Sequence, residues 1–152
     1  MNNPPRRSEE FAGQALTERA EELFTSVLDA AIEVHRHLGP GFVESLYESA
    51  LAHEFQMRGI EFQRQPGIRV EYKGQAAGDA RLDFLVGGCL VVELKAIDSL
   101  QPVHKAQVIS YLKMTAMPLG LLLNFNVDLL KRGMAPLLHP SYLANSSLLR
   151  VQ

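Results

Sequence analysis

The segment Val91-Val92-Glu93-Leu94-Lys95 constrains this chain more than any other part of it. Its apolar, β-branched residues read as a buried strand, and in a strand alternate side chains share a face. Glu93 and Lys95 therefore project together from a strand that is otherwise apolar. Charges are costly to bury there unless they pair, meet a metal or reach a sheet edge. Asp83 repeats the pattern between Leu82 and Phe84. Three charges on two neighbouring apolar strands demand a common explanation.

Parity supplies a geometric test. In an antiparallel hairpin, opposed residues share a face and their numbers have a constant sum. A two-residue Gly87-Gly88 turn would pair Val86 with Cys89 and put Asp83 and Glu93 on opposite faces. A shared site thus predicts a three-residue loop, Gly87–Cys89, or a bulge with glycine in the left-handed region. Two carboxylates brought together in this way suit a hard divalent cation such as Mg²⁺, and a neighbouring lysine adds the equipment for phosphodiester cleavage. An ion pair that merely closes the hairpin is the simpler alternative, of about equal weight on the strands alone.

The remaining elements fall around this hairpin. Apolar positions from Ala20 to Leu38, including Leu23, Phe24, Val27, Leu28, Ala31, Ile32 and His35, recur at helical spacing, with Thr17 as the expected N-cap. Gly39-Pro40-Gly41 ends that helix. A second helix is expected from Val43 to Arg58, with Leu46, Tyr47, Ala50, Leu51 and Phe55 inward and Gly59 at its C-terminus. Strands are expected at Gly67–Lys73, Arg81–Val86 and Leu90–Lys95. Pro102 opens a third helix, with Val103, Ala106, Val108, Ile109, Leu112 and Lys113 carrying it to about Thr115. Leu119–Phe125 reads as a buried strand, and the leucine pairs at 129–130, 137–138 and 148–149 suggest packing. The order is helix, helix, strand, strand, strand, helix, strand: an α/β sandwich with a mixed sheet and a helical crossover before the last strand.

At 152 residues, the chain suits one domain. Residues 1–15 read as a flexible tail and 16–152 as the domain. The lone Cys89 excludes an internal disulfide and a Cys-rich zinc site, which favours a reducing cytoplasm. The N-terminus has no hydrophobic signal core, and no apolar run reaches the ~18 residues of a membrane span. A net charge of −2 and a pI near 6.2 show no basic footprint.

Two further groups carry polar chemistry. Glu44 sits in the first turn of the second helix, where the macrodipole favours a carboxylate, yet Tyr47 beside it borders the buried face. Gln107 and Tyr111 lie one turn apart on the third helix; alone, the pair is a polar helix shoulder. His35 and His37 do not share a helical face, and Cys89 has no adjacent base. Met114 and Met117 read as core filler.

The stretch Val34–Glu48, containing Gly41-Phe42-Val43-Glu44-Ser45-Leu46-Tyr47, resembles the defining segment of the GxxExxY family. Asp83 followed by Glu93-Leu94-Lys95 resembles the core motif of the PD-(D/E)XK nuclease superfamily, the restriction-endonuclease-like fold in which a mixed β-sheet is flanked by helices. Gln107–Tyr111 is similar to the QxxxY element of RecB-type exonuclease domains. The resemblance runs from Ala20 to Phe125. It departs at Leu82, where a proline is common, and at Asn124-Phe125-Asn126, where glycine is usual. It implies a Mg²⁺- or Mn²⁺-dependent nuclease acting on nucleic acid, with DNA favoured over RNA as the substrate. Asp83, Glu93 and the Leu94 carbonyl would ligate the metal, and Glu44 would complete the acidic cluster. Lys95 would orient water or stabilise the transition state, and Gln107 and Tyr111 would face phosphate. The alternative is an inactive nucleic-acid-binding or protein-interaction module on the same fold. Assembly as a homo-oligomer is compatible with either. With Glu44, Asp83 and Glu93 set aside as metal-neutralised, the chain beyond Glu22 carries more bases than acids, so near-neutral pI no longer excludes nucleic acid.

Overall fold

The computed structural model describes residues 7–142. Two helices, α1 (Arg7–Leu38) and α2 (Glu44–Arg58), precede five strands: β1 (Phe62–Arg64), β2 (Gly67–Tyr72), β3 (Gln75–Arg81), β4 (Phe84–Val86) and β5 (Leu90–Lys95). Helix α3 (Pro102–Thr115), strand β6 (Leu119–Asn124), a short 3-10 turn at Leu130–Gly133 and strand β7 (Met134–Leu138) follow. The main sheet has the order β1-β4-β5-β6-β7, while β2 and β3 form a separate ribbon. Only β5 and β6 are parallel, joined by the α3 crossover. The result is a mixed sheet flanked by helices, as the sequence implies, here with five strands and with the expected Gly67–Lys73 strand set apart in the ribbon.

Alternation along β5 decides what each face does. Leu90, Val92 and Leu94 enter a large core with Phe24, Val27, Ala31, Tyr47, Leu51 and Phe55 of α1 and α2. Val91 enters a smaller core with Val108 and Leu112 of α3. Glu93 and Lys95 project on that α3 side, where apolar contacts give out. The layer with the thinner core is the layer that holds the charges.

Close approach of α3 to the sheet depends on Gly120 of β6. A Cβ there would lie 2.7 Å from Val108 Cγ1, and a valine methyl cannot swing away. Gly120→Ala is expected to destabilise the protein by about 1–3 kcal/mol in urea denaturation; an unchanged midpoint would contradict this packing.

Several boundaries differ from expectation. α1 starts at Arg7, so Thr17 is not an N-cap: its hydroxyl donates to the Gly13 carbonyl inside the helix, 2.8 Å away. The expected Arg81–Val86 strand is divided between β3 and β4, because the chain changes sheets at Leu82-Asp83. Strands β1, β3 and β7 join those expected. Leu46 is exposed on α2 and Ile32 on α1. On α3 only Val108 and Leu112 are buried; Val103, Ala106 and Lys113 face outward, and Met114 is exposed, not core filler. These helices bury narrower stripes than their apolar content suggests. Leu148-Leu149 lies outside the described residues, and among those described no helix is long and apolar enough to cross a membrane.

Candidate active site

The β4–β5 hairpin closes through the three-residue loop Gly87–Cys89, with Val86 paired to Leu90 and Phe84 to Val92. Gly87 and Gly88 have φ of 58° and 68°, the left-handed backbone that glycine adopts without a Cβ penalty. One residue further along this register, Asp83 stands opposite Glu93 on the α3 side. The parity expectation is met.

The two carboxylates interlock through the strands themselves. The Asp83 N–H donates to Glu93 Oε1 at 2.8 Å, and the Leu94 N–H donates to Asp83 Oδ2 at 2.8 Å. β4 starts only at Phe84 because the Asp83 amide is spent on a side chain in place of a ladder bond. Each carboxylate is fixed by backbone and keeps its second oxygen clear of backbone donors.

Electrostatically the pair is strained. Glu93 is buried to 4% exposure, and its carboxyl is pushed up to about 8, first by burial and then by the Asp83 charge. The Asp83 N–H and Lys95 oppose that shift only in part. Asp83 is raised as well, by burial and by Glu48, against the Leu94 N–H, Lys95 and a hydrogen bond with Glu93. Both shifts say that like charges are crowded into low dielectric with too little positive charge beside them.

Other expected residues lie within electrostatic reach of this pair. Glu44, at the start of α2, is exposed as a residue, yet desolvation of its carboxyl and then Asp83 raise its pKa, with Lys95 opposing. Gln107 Nε2 donates to the Tyr111 hydroxyl at 2.9 Å. Burial and then the Glu93 charge raise Tyr111, which places the α3 pair against the same cluster. The GPG turn that presents Glu44 is held by Tyr47, whose hydroxyl donates to the Gly39 carbonyl (2.5 Å) and accepts from the Phe42 N–H (3.2 Å). Its ring stacks on Phe125, with centroids 4.6 Å apart. Leu94 contributes its N–H, while its side chain is core.

Glu48 escaped the sequence reading. It is 6% exposed, receives Arg64 at 3.3 Å and Gln65 Nε2 at 3.1 Å, and raises both Asp83 and Glu44. Its signal was the i,i+4 spacing from Glu44, which puts both carboxylates on one helical face. Gln65, at a left-handed φ of 55°, is tied to the site as well: its N–H donates to the Asp83 carbonyl at 2.8 Å. The residues set aside stay apart from the cluster. His35 contacts the Val127 carbonyl and Phe125, His37 pairs with Glu33, and Cys89 is buried in the core.

Among the described residues no three His, Cys, Asp or Glu side chains are grouped to hold an ion unaided. A hard divalent cation needs less, because Mg²⁺ keeps several waters and takes one or two carboxylates. Asp83 and Glu93, repelling each other in a site short of positive charge, fit that requirement.

A carboxylate pair locked across a hairpin, a lysine two residues on, and a polar pair on the crossover helix of a mixed sheet define a nuclease-type α/β core. A sequence model of the PD-(D/E)XK nuclease superfamily matches residues 21–136, and the chain belongs to that superfamily. No curated protein and no solved structure matches it.

Proposed function

We propose that the protein is a cytoplasmic, Mg²⁺- or Mn²⁺-dependent nuclease of the GxxExxY group, hydrolysing phosphodiester bonds of DNA within a single domain. The observation that carries this reading is the interlocked Asp83–Glu93 pair, with the Glu93 carboxyl driven to about 8 beside Lys95. Asp83, Glu93 and the Leu94 carbonyl would hold the cation, which when bound supplies a water of lowered pKa and neutralises charge on phosphate. Lys95, the cation that Glu44, Asp83 and Glu93 all feel, orients the attacking water and meets the charge growing on the phosphate oxygens. Glu44 completes the acidic rim and takes a proton from water on that side. Tyr111 accepts from Gln107, so its own hydroxyl proton is free to donate to a phosphate oxygen.

Incubation with end-labelled single-stranded, duplex and branched DNA, and with RNA, tests this reading. Cleavage is expected with Mg²⁺ or Mn²⁺ and none with EDTA. Cleavage that persists at full rate in EDTA, or the absence of cleavage of every substrate with either ion, would overturn it.

A further inference from the structure

A second feature opens on the same face of the sheet. A cavity of about 310 Å³ lies at the carboxyl end of the parallel β5–β6 pair, the crevice where open α/β sheets place ligands. Asp98, Ser99, Lys105, Asn124, Arg132 and Gly133 contribute to its wall. Its volume is that of a small-ligand pocket.

The cavity lies next to the carboxylate site and shares none of its residues. Asn124 is the register partner of Lys95 across the ladder, so the wall begins one strand, about 4.8 Å, from the lysine's strand. The Asn124 amide bonds both polar groups of Ile97: Oδ1 accepts from the Ile97 N–H at 3.1 Å, and Nδ2 donates to the Ile97 carbonyl at 2.9 Å. Asn124 thereby pins the 96–98 segment that leads from Lys95 into the cavity. Gly133 lets its part of the wall pack directly on β6, since a Cβ there would meet the Asn124 carbonyl oxygen at 2.2 Å. Helix α3 serves both places: Lys105 faces the cavity, and Tyr111, six residues on and about 9 Å along the axis, faces the carboxylates. At about 3.4 Å per stacked nucleotide, that separation covers two to three nucleotides of one strand.

The chemistry of the wall selects among anions. Lys105 forms no ion pair among the described residues, and Arg132 pairs with Asp128 through Nη1 alone. Two cations suit a phosphate. Asp98 would repel a bare phosphate but accepts from a base amine. The Ser99 hydroxyl oxygen accepts from Gln101 Nε2 at 2.8 Å and so retains its proton to donate. A nucleotide satisfies all of these groups; inorganic phosphate does not.

Resting on the nuclease reading, we propose that this cavity receives a nucleotide of the strand being cut, with its phosphate on Lys105 and Arg132 and its sugar and base against Asp98 and Ser99. It fixes how far from the scissile bond the strand is gripped.

The test is a titration of the ¹⁵N-labelled protein in EDTA, where no cleavage competes, with dAMP and separately with inorganic phosphate. dAMP is expected to shift the amides of Ser99, Lys105 and Gly133. Lys105→Ala is expected to weaken binding about tenfold, Lys105→Arg to restore most of it, and Lys113→Ala, on the exposed side of α3, to leave it unchanged. Thermal melting of each variant controls for folding. The proposal is overturned if dAMP shifts amides elsewhere, if Lys105→Ala titrates as the parent does, or if inorganic phosphate binds as tightly as dAMP. Failure of the nuclease reading looks different: a protein that binds dAMP here and cuts no polynucleotide keeps the site and loses the activity.

Discussion

Asp83→Asn is expected to lower the cleavage rate by about three orders of magnitude or more with the fold intact. The substitution is nearly isosteric, and the side-chain amide oxygen it introduces can still accept the Leu94 N–H that Asp83 Oδ2 accepts at 2.8 Å. What disappears is one negative charge of the pair that would hold the cation, and a metal supplies several kcal/mol of transition-state stabilisation. At 1.36 kcal/mol per decade, that loss accounts for the expected drop. Lys95→Ala is expected to cost about 10²–10³-fold, the usual loss on removing one group that meets developing charge. The two variants should differ in metal response. Excess Mn²⁺ is expected to recover part of the rate lost in Asp83→Asn, a loss of ion affinity, and none of that lost in Lys95→Ala. Single-turnover cleavage with circular dichroism as a folding control decides it. Parent-like rates in both variants would remove these residues from the chemistry.

The residues behind that expectation were legible because they break a pattern. Glu93 and Lys95 interrupt an apolar strand, and parity, given a shared site, called for a three-residue loop or a bulge, of which the hairpin adopts the loop Gly87–Cys89. α3 was legible from Pro102, and β6 from an unbroken apolar run, because a strand buried on both faces needs no alternation. The missed strands share a different property: something outside the strand specifies them. β3, with sequence QAAGDAR, is mostly exposed and is held by β2 through the tight turn at Lys73-Gly74, whose residues both have positive φ. β7 contains Pro136, which argues against a strand until β7 proves to be an edge. Leu46 and Val103 failed as core residues for a related reason. Apolar periodicity shows that a helix has a buried side but not how wide the neighbour is that covers it. Glu48 was hidden because its partners, Arg64 and Gln65, are 16 and 17 residues away, and only the tertiary fold brings them to it.

The second large effect concerns stability and runs against the usual direction. Most carboxylates are stabilised by folding, and proteins lose stability as acid protonates them. Here Glu93 is pushed up to about 8 in the folded state from an ordinary 4.5, and Asp83 and Glu44 move the same way. A group that binds its proton more tightly when folded contributes stability that is complete below its unfolded pKa and is lost as pH rises through the folded one. The metal-free protein is therefore expected to lose stability between about pH 4.5 and pH 8. The ceiling from Glu93 alone is about 5 kcal/mol, and relaxation and water entry bring the expected loss to roughly 2 kcal/mol. Glu93→Gln keeps an acceptor for the Asp83 N–H without the charge. It is expected to flatten the slope and raise stability at pH 8 by about the same amount. Mg²⁺ is expected to stabilise the parent by about 1.4 kcal/mol at ten times its dissociation constant, and the Gln variant far less. Denaturant titrations in EDTA and in Mg²⁺, from pH 5 to about 8.5, read all three effects. An ion pair that only closes the hairpin predicts the reverse: Glu93→Gln would destabilise at pH 8, and Mg²⁺ would change nothing. The sign of one substitution in one buffer thus separates a cation site from a structural charge pair, whether or not the substrate is known.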